Sequence, residues 1–199
     1  MENQAVIFEL VGTVAFAVSG AMVAINKKMD LFGVIILGMT TAVGGGMIRD
    51  ILIGVTPPAA LQDPRYTMVS LATSLVVFLP PVRQRIDTNH MFFILVDAIG
   101  LGTFTMIGLE AGKEYHNVFL QLVLAMLTGV GGGVLRDLFA MEKPMIFVHH
   151  LYAVASMAGT VVCLALIGWN ENIALLSGIL TVVILRVLAA KYRWNLPRA

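Results

Sequence analysis

The stretch Gly44-Gly45-Gly46-Met47-Ile48-Arg49-Asp50 returns 87 positions further on as Gly131-Gly132-Gly133-Val134-Leu135-Arg136-Asp137, and both copies lie inside apolar runs. Each glycine in a helix interior gives up roughly 1 kcal/mol relative to alanine, so three in a row are expected to bend or unwind the helix that carries them. The work of this protein is expected at two related breaks.

Composition sets the class around them. Of 199 residues, 58% are hydrophobic and 13% charged, where a soluble domain carries about 25% charged residues. The chain therefore reads as an all-α integral membrane protein. Measured against about 20 apolar residues per helical crossing, seven spans fit: 5–25, 31–55, 66–82, 91–111, 118–140, 151–169 and 173–190. The leader Met1-Glu2-Asn3-Gln4 lacks the basic residues of a signal peptide, so the first segment is read as a retained span. Cys163 is alone, cannot form an intramolecular disulfide, and is expected to be apolar filler. The net charge of +1 makes no case for nucleic acid, and seven spans leave no soluble domain to bind it. The expected partner is the lipid bilayer.

Seven alternating spans put Lys27, Lys28, Arg83, Arg85, Lys143, Lys191, Arg193 and Arg198 on one side, against Arg65 and Lys113 on the other. The positive-inside rule then places the C-terminus in the cytoplasm and the N-terminus outside, with Trp169 and Trp194 as interfacial anchors.

The repeat extends beyond the glycines. Gly12, Phe16 and Gly20 match Gly100, Phe104 and Gly108 at an offset of 88; the triplets and Pro57/Pro144 match at 87; Tyr66, Ser70 and Ala72 match Tyr152, Ser156 and Ala158 at 86. The register slips only in expected loops. Residues 5–82 and 91–169 thus read as two copies of a three-helix unit, followed by an unpaired seventh helix at 173–190. Because three is odd, the second copy enters the membrane upside down, giving an inverted repeat with a twofold axis in the membrane plane. Loosened backbone at such depth must be buried in protein or line a wet cavity, which points to a polar path between the second and fifth spans.

The charges agree. Arg49 and Asp50, like Arg136 and Asp137, fall about one turn past their triplets on nearly one face, and each charge deep in a span costs at least about 2.5 kcal/mol. Two readings stand: the arginines neutralise the aspartates, within each pair or across the twofold, and hold the bundle together, or one member of each pair faces an aqueous pore and sets its local potential or gates it. Glu9 and Asp97 are counterparts at offset 88; they are either carboxylates at pore mouths that concentrate cations or, for Glu9, a hydrated interfacial group. Arg186 is expected to snorkel toward the cytoplasm or pair with an acid. Glu110 and Lys113 are expected at the interface. Small residues such as Gly12, Gly20, Gly38 and Gly108 are expected to let helices approach closely. The hydroxyls of Ser19, Thr40, Thr41, Thr103 and Thr105 either line a path or bond their own helix backbone.

Nothing points to catalysis or a cofactor. His149 and His150 are adjacent, diverge by about 100° on a helix, and have no further Cys or His at metal-ligand spacing; with Lys143 they would meet lipid headgroups or solvent. The glycine triplets lack the Gly-Lys-Ser/Thr ending of a phosphate-binding loop.

Two three-span repeats plus one, with Gly-Gly-Gly-x-x-Arg-Asp in the second and fifth spans, resemble the prokaryotic TRIC family, bacterial relatives of the trimeric intracellular cation channels. The resemblance covers about residues 5 to 190. It implies a homotrimer in the bacterial inner membrane, with a potassium-permeable pore in each protomer. Gly44, Gly45, Gly46, Gly131, Gly132 and Gly133 would form kinks around that pore, and Arg49, Asp50, Arg136 and Asp137 would be the charged elements beside it. Glu9, Ser19, Asp97 and Thr103 are further candidates for its mouth or lining. The only ions this calls for are permeant potassium or sodium. Bacterial members have also been labelled glycine-transporter-like, which implies instead a secondary transporter for a small amino acid such as glycine. The phosphoinositide-binding lysines of animal members are absent here.

Overall fold

Asp30 and Asn117 start the two triplet-bearing helices in the same way: Asp30 Oδ1 accepts the Gly33 amide at 2.8 Å and Asn117 Oδ1 accepts the Leu120 amide at 3.1 Å, satisfying donors that a helix N-terminus leaves free. The computed structural model describes residues 2–86, 90–148 and 151–194. Among these the regular elements are α1 (Glu2–Asn26), α2 (Leu31–Leu52), α3 (Ala59–Gln62), α4 (Pro64–Phe78), α5 (Pro80–Ile86), α6 (His90–Ala111), a 3-10 turn (Lys113–Tyr115), α7 (Val118–Phe139), α8 (Met145–Val148), α9 (Tyr152–Leu166) and α10 (Glu171–Tyr192). His149, His150 and Arg198 lie outside the described residues.

The triplet helices also end alike. Gly54 and Met141 both take the left-handed conformation, at φ 77° and 56°. The next amides, Val55 and Glu142, each reach back 2.8 Å to the carbonyls of Asp50 and Asp137. This is the hydrogen bond of a Schellman cap.

Between these ends α2 and α7 run as continuous helix of 22 residues each. The unwinding expected from the triplets does not occur, because the glycines are used for close approach. A Cβ on Gly45 would stand 2.2 Å from the Thr128 carbonyl oxygen, and one on Gly132 would stand 2.2 Å from that of Thr41. Each pair is the other displaced by 87 residues. The same reciprocity holds for Gly44 against Leu135 and Gly131 against Ile48. It holds again where Phe16 of α1 stacks on Phe104 of α6 with centroids 5.3 Å apart, against Gly100 and Gly12 respectively. Small residues thus bring four helices together at the centre, as packing without a strong hydrophobic drive requires.

Among the described residues, five helical segments are long and apolar enough to cross a membrane: Val6–Asn26, Leu31–Leu52, His90–Tyr115, Val118–Phe139 and Glu171–Tyr192. At the expected third and sixth spans, 66–82 and 151–169, stand α4 and α9, 15 residues each, or about 22 Å at 1.5 Å per residue, short of the length that the five spanning helices reach. Helix α4 stops early because Pro80 forces Leu79 out of helical geometry, to ψ 134°. At its start, the side chain and amide of Arg65 both bond Asp63, and these bonds hold the Asp63 carboxyl below the ordinary carboxylate range. Helix α10 packs on α6 and α9, with Gly178 against Gly159 and Met106. Among the described residues no helix covers α1 and α4 in the corresponding way. Cys163 is buried beside Met106, Leu109, Ala125 and Ala174, as filler.

Candidate functional site: two Arg–Asp pairs in unlike surroundings

Both Arg–Asp pairs are built on one plan. Arg49 Nε donates to Asp50 Oδ1 at 2.8 Å, and Asp50 Oδ2 accepts the amide of Ala59, first residue of α3, at 2.8 Å. Arg136 Nε donates to Asp137 Oδ1 at 2.8 Å, and Asp137 Oδ2 accepts the amide of Met145, first residue of α8, at 2.8 Å. Each aspartate therefore ties its arginine to the short helix that follows. The arginines stand in the last turns of α2 and α7, where free carbonyls favour a cation. Neutralisation within each pair, one of the two readings of these charges, is what the geometry displays at this level.

Beyond the pair the surroundings diverge. Arg136 also binds Asp97 and Ser19 through Nη1, and its guanidinium lies 5.3 Å from the Phe93 ring centroid. Asp97 takes a second cation, Arg186 from α10, at 3.4 Å, and Arg186 lies 4.4 Å above the Tyr152 ring. Arg136, Arg186 and Asp97 are 0% exposed. Charges withdrawn this far from water persist only when paired and hydrogen-bonded, and with Asp137 the group sums to zero.

The counterpart around Arg49 is open. A small cleft, open to the exterior, is bordered by Glu9, Thr13, Val43, Arg49, Asp50 and Tyr66, among others. Glu9 accepts a hydrogen bond from the Tyr66 hydroxyl, and among the described residues no arginine is paired with it. Glu9, Arg49 and Asp50 together carry one net negative charge. The cleft borders α1, α2, α3, α4 and α6 but not α7. The space expected between the second and fifth spans is instead closed at the glycine crossing.

The sequence candidates divide accordingly. Glu9, Arg49, Asp50 and Gly46 border the cleft; Ser19, Asp97, Arg136 and Asp137 belong to the buried network. Thr103 is buried against Gly12, whose added Cβ would lie 3.0 Å from the threonine methyl. Thr41 and Thr105 donate to the carbonyls of Leu37 and Leu101 in their own helices. Of the two fates open to Arg186, pairing with an acid is the one found. Lys113 pairs with Glu110 and with Glu171 of α10. Sequence reasoning left the two tyrosines without a role. Their match at offset 86 was the available signal, since each stands beside its repeat's acidic residue.

Apolar helices of spanning length around buried ion pairs define an all-helical membrane protein. The chain belongs to the family described as "Glycine transporter", whose profile matches residues 6–80 and 94–167. It is 39% identical over 193 residues to the UPF0126 membrane protein YvgT of Bacillus subtilis (strain 168), covering 96% of this chain and 94% of that protein. It is 36% identical over 190 residues to the UPF0126 inner membrane protein YadS of Escherichia coli (strain K12), covering 94% and 91%. Among solved structures it resembles a TRIC cation channel studied for the structural basis of conductance (40% identity, TM-score 0.85, 97% of this chain and 96% of that one). It also resembles a prokaryotic TRIC channel crystallised in 0.5 M KCl (33%, TM-score 0.90, 98% and 100%). A third is the TRIC trimeric intracellular cation channel orthologue from Rhodobacter sphaeroides (29%, TM-score 0.85, 96% and 98%). The resemblance to the prokaryotic TRIC family noted in the sequence thus holds over nearly the whole chain.

Proposed function

We propose that this protein is a monovalent cation channel, with potassium as its physiological ion and a path inside each protomer of a homotrimer. The observation that carries the reading is the likeness to TRIC cation channels across 97% of the chain. The excess negative charge of the Glu9–Arg49–Asp50 cleft adds to it, because acidic mouths concentrate cations. In this reading the cleft is one vestibule, and the Arg136–Asp97–Ser19 network, with Asp137, is the closed end of the path. Gly44–46 and Gly131–133 let α2 and α7 meet backbone to backbone at Gly45 and Gly132, a crossing on which the helices can bend or slide to open. Thr103 borders that moving centre.

Residues 5–82 and 91–169 act as inverted repeats, with 173–190 as the seventh span, the N-terminus outside and the C-terminus in the cytoplasm of a bacterial inner membrane. The reciprocal glycine contacts, the matched helix caps and the two stretches of the family match support the repeat. The eight-to-two distribution of basic residues supports the orientation. Labelling of Lys28→Cys only from the cytoplasm and of Arg65→Cys only from outside tests it.

The family's description favours a second reading, a secondary transporter for a small amino acid. One open and one closed half is also the arrangement that alternating access requires. Recording from purified protein in potassium gradients separates the two. Discrete unitary currents are expected; saturable glycine counterflow without them would replace the channel with the transporter.

A further inference from the structure

The two halves carry matched residues, yet Arg49 borders a cleft while Arg136 is fully buried, and the difference tracks a side chain that the repeat does not supply. Glu9 has Tyr66 as its partner, and its half forms a cleft. Asp97, its counterpart, has both oxygens engaged by arginines: Oδ1 by Arg136 and Oδ2 by Arg186. Tyr152, counterpart of Tyr66, lies beneath the Arg186 guanidinium. Position 43, which borders the cleft, corresponds to Val130, which is buried with Phe16, Tyr152 and Val182. Arg186 comes from α10, the helix with no equivalent in the first half.

We propose that Arg186 is a positioning residue that latches the second half closed. By saturating Asp97 and lying over Tyr152 it brings the local charge to zero and fixes the carboxylate on Arg136. Without it, Asp97, Arg136 and Asp137 would carry one net negative charge, as Glu9, Arg49 and Asp50 do. Asp97 would then turn to the Tyr152 hydroxyl as Glu9 does to Tyr66, and a water-filled space would open beside Val130. The channel's asymmetry would thus be imposed by its seventh helix. The proposal rests on reading the Arg136 network as the closed end of the path.

The test is thiol accessibility in the full-length protein in liposomes, on a Cys163→Ala background. Val43→Cys serves as the open reference and Val130→Cys as the probe, each treated with a membrane-impermeant methanethiosulfonate. With Arg186 present, Val43→Cys should react and Val130→Cys should stay protected. Adding Arg186→Gln should raise the Val130→Cys rate by about tenfold or more, since removing a contact made only in the closed state shifts the population toward the open one. Arg186→Lys, which keeps the charge but loses the planar guanidinium that lies over the Tyr152 ring, should give an intermediate rate. Unchanged protection in a monodisperse Arg186→Gln protein overturns the latch. If Arg186→Gln does not assemble, full protection in Arg186→Lys overturns it in favour of a structural anchor. Labelling needs no transport activity, so raised labelling without unitary currents would retain the latch and reject the channel, and currents with unchanged labelling would do the reverse.

Discussion

Gly45 and Gly132 meet back to back where α2 crosses α7, so closely that a Cβ on Gly45 would lie 3.2 Å from the Gly132 amide nitrogen as well as 2.2 Å from the Thr128 carbonyl. Neither neighbour is the tip of a flexible side chain. Gly45→Ala or Gly132→Ala should therefore separate the helices and cost about 1–3 kcal/mol or more, as overpacking does. Gly46 has only Arg49 Nη2 nearby, at 3.9 Å, so Gly46→Ala should be tolerated and can gain up to about 1 kcal/mol of helix propensity. Thermal unfolding of the three variants in detergent checks the contrast; equal effects would mean that propensity, and not contact, selects these glycines.

Arg49 and Arg136 look interchangeable in the sequence and should not behave so. Among the described residues, Arg136→Ala leaves buried Asp97 with Arg186 alone and takes from Asp137 its arginine, the kind of loss that costs about 3–5 kcal/mol. The Arg49 side chain is 12% exposed beside an open cleft, so its loss should change flux while the protein stays folded. Size-exclusion profiles and melting temperatures of the two alanine variants measure the difference.

Glu9 should act on ions through the field at the vestibule. Glu9→Gln is expected to lower potassium conductance several-fold in dilute salt and much less near 1 M, where the screening length falls to about 3 Å. Tyr66→Phe should free the carboxylate from its hydrogen bond while keeping its charge, and so preserve the salt dependence. Single-channel conductance against potassium concentration distinguishes the two variants.

Met141 occupies a conformation that L-residues adopt at a cost of roughly 1–2 kcal/mol, at the position where the first repeat has Gly54. Met141 is 91% exposed, and an added Cβ at Gly54 would touch nothing, so packing does not enter. Met141→Gly should raise the melting temperature slightly, and Gly54→Ala should lower stability by about 1 kcal/mol. Calorimetry of both variants tests whether the shared helix end is governed by backbone geometry alone.

Much of this architecture was legible in one dimension because membrane insertion constrains composition and the matched motifs keep their spacing. Two of the offsets, 88 and 87, recur in backbone features. Lys28 and His116, both left-handed, differ by 88, while the caps Asp30 and Asn117 differ by 87, so the lost residue falls in the turn between them. The Arg–Asp dipeptides were legible as ion pairs because adjacent long and short side chains can reach one another without help from the fold. The glycines do not unwind their helices. Helix propensity describes an isolated segment, and in the assembled bundle the missing side chains admit a neighbouring backbone, so the helices stay continuous.

The amino-acid sequence establishes an apolar helical protein with two matched Arg–Asp motifs, because hydrophobic length and residue spacing are properties of the chain before it folds. It could not determine which half is open. That depends on Arg186 reaching Asp97 across 89 positions of sequence from a helix that the repeat does not contain, and on Tyr152 lying beneath it. Such a pairing comes into existence only when α10 packs on α6 and α9. The tertiary structure alone decides that one ion network is neutral and sealed while its counterpart remains an acidic cleft.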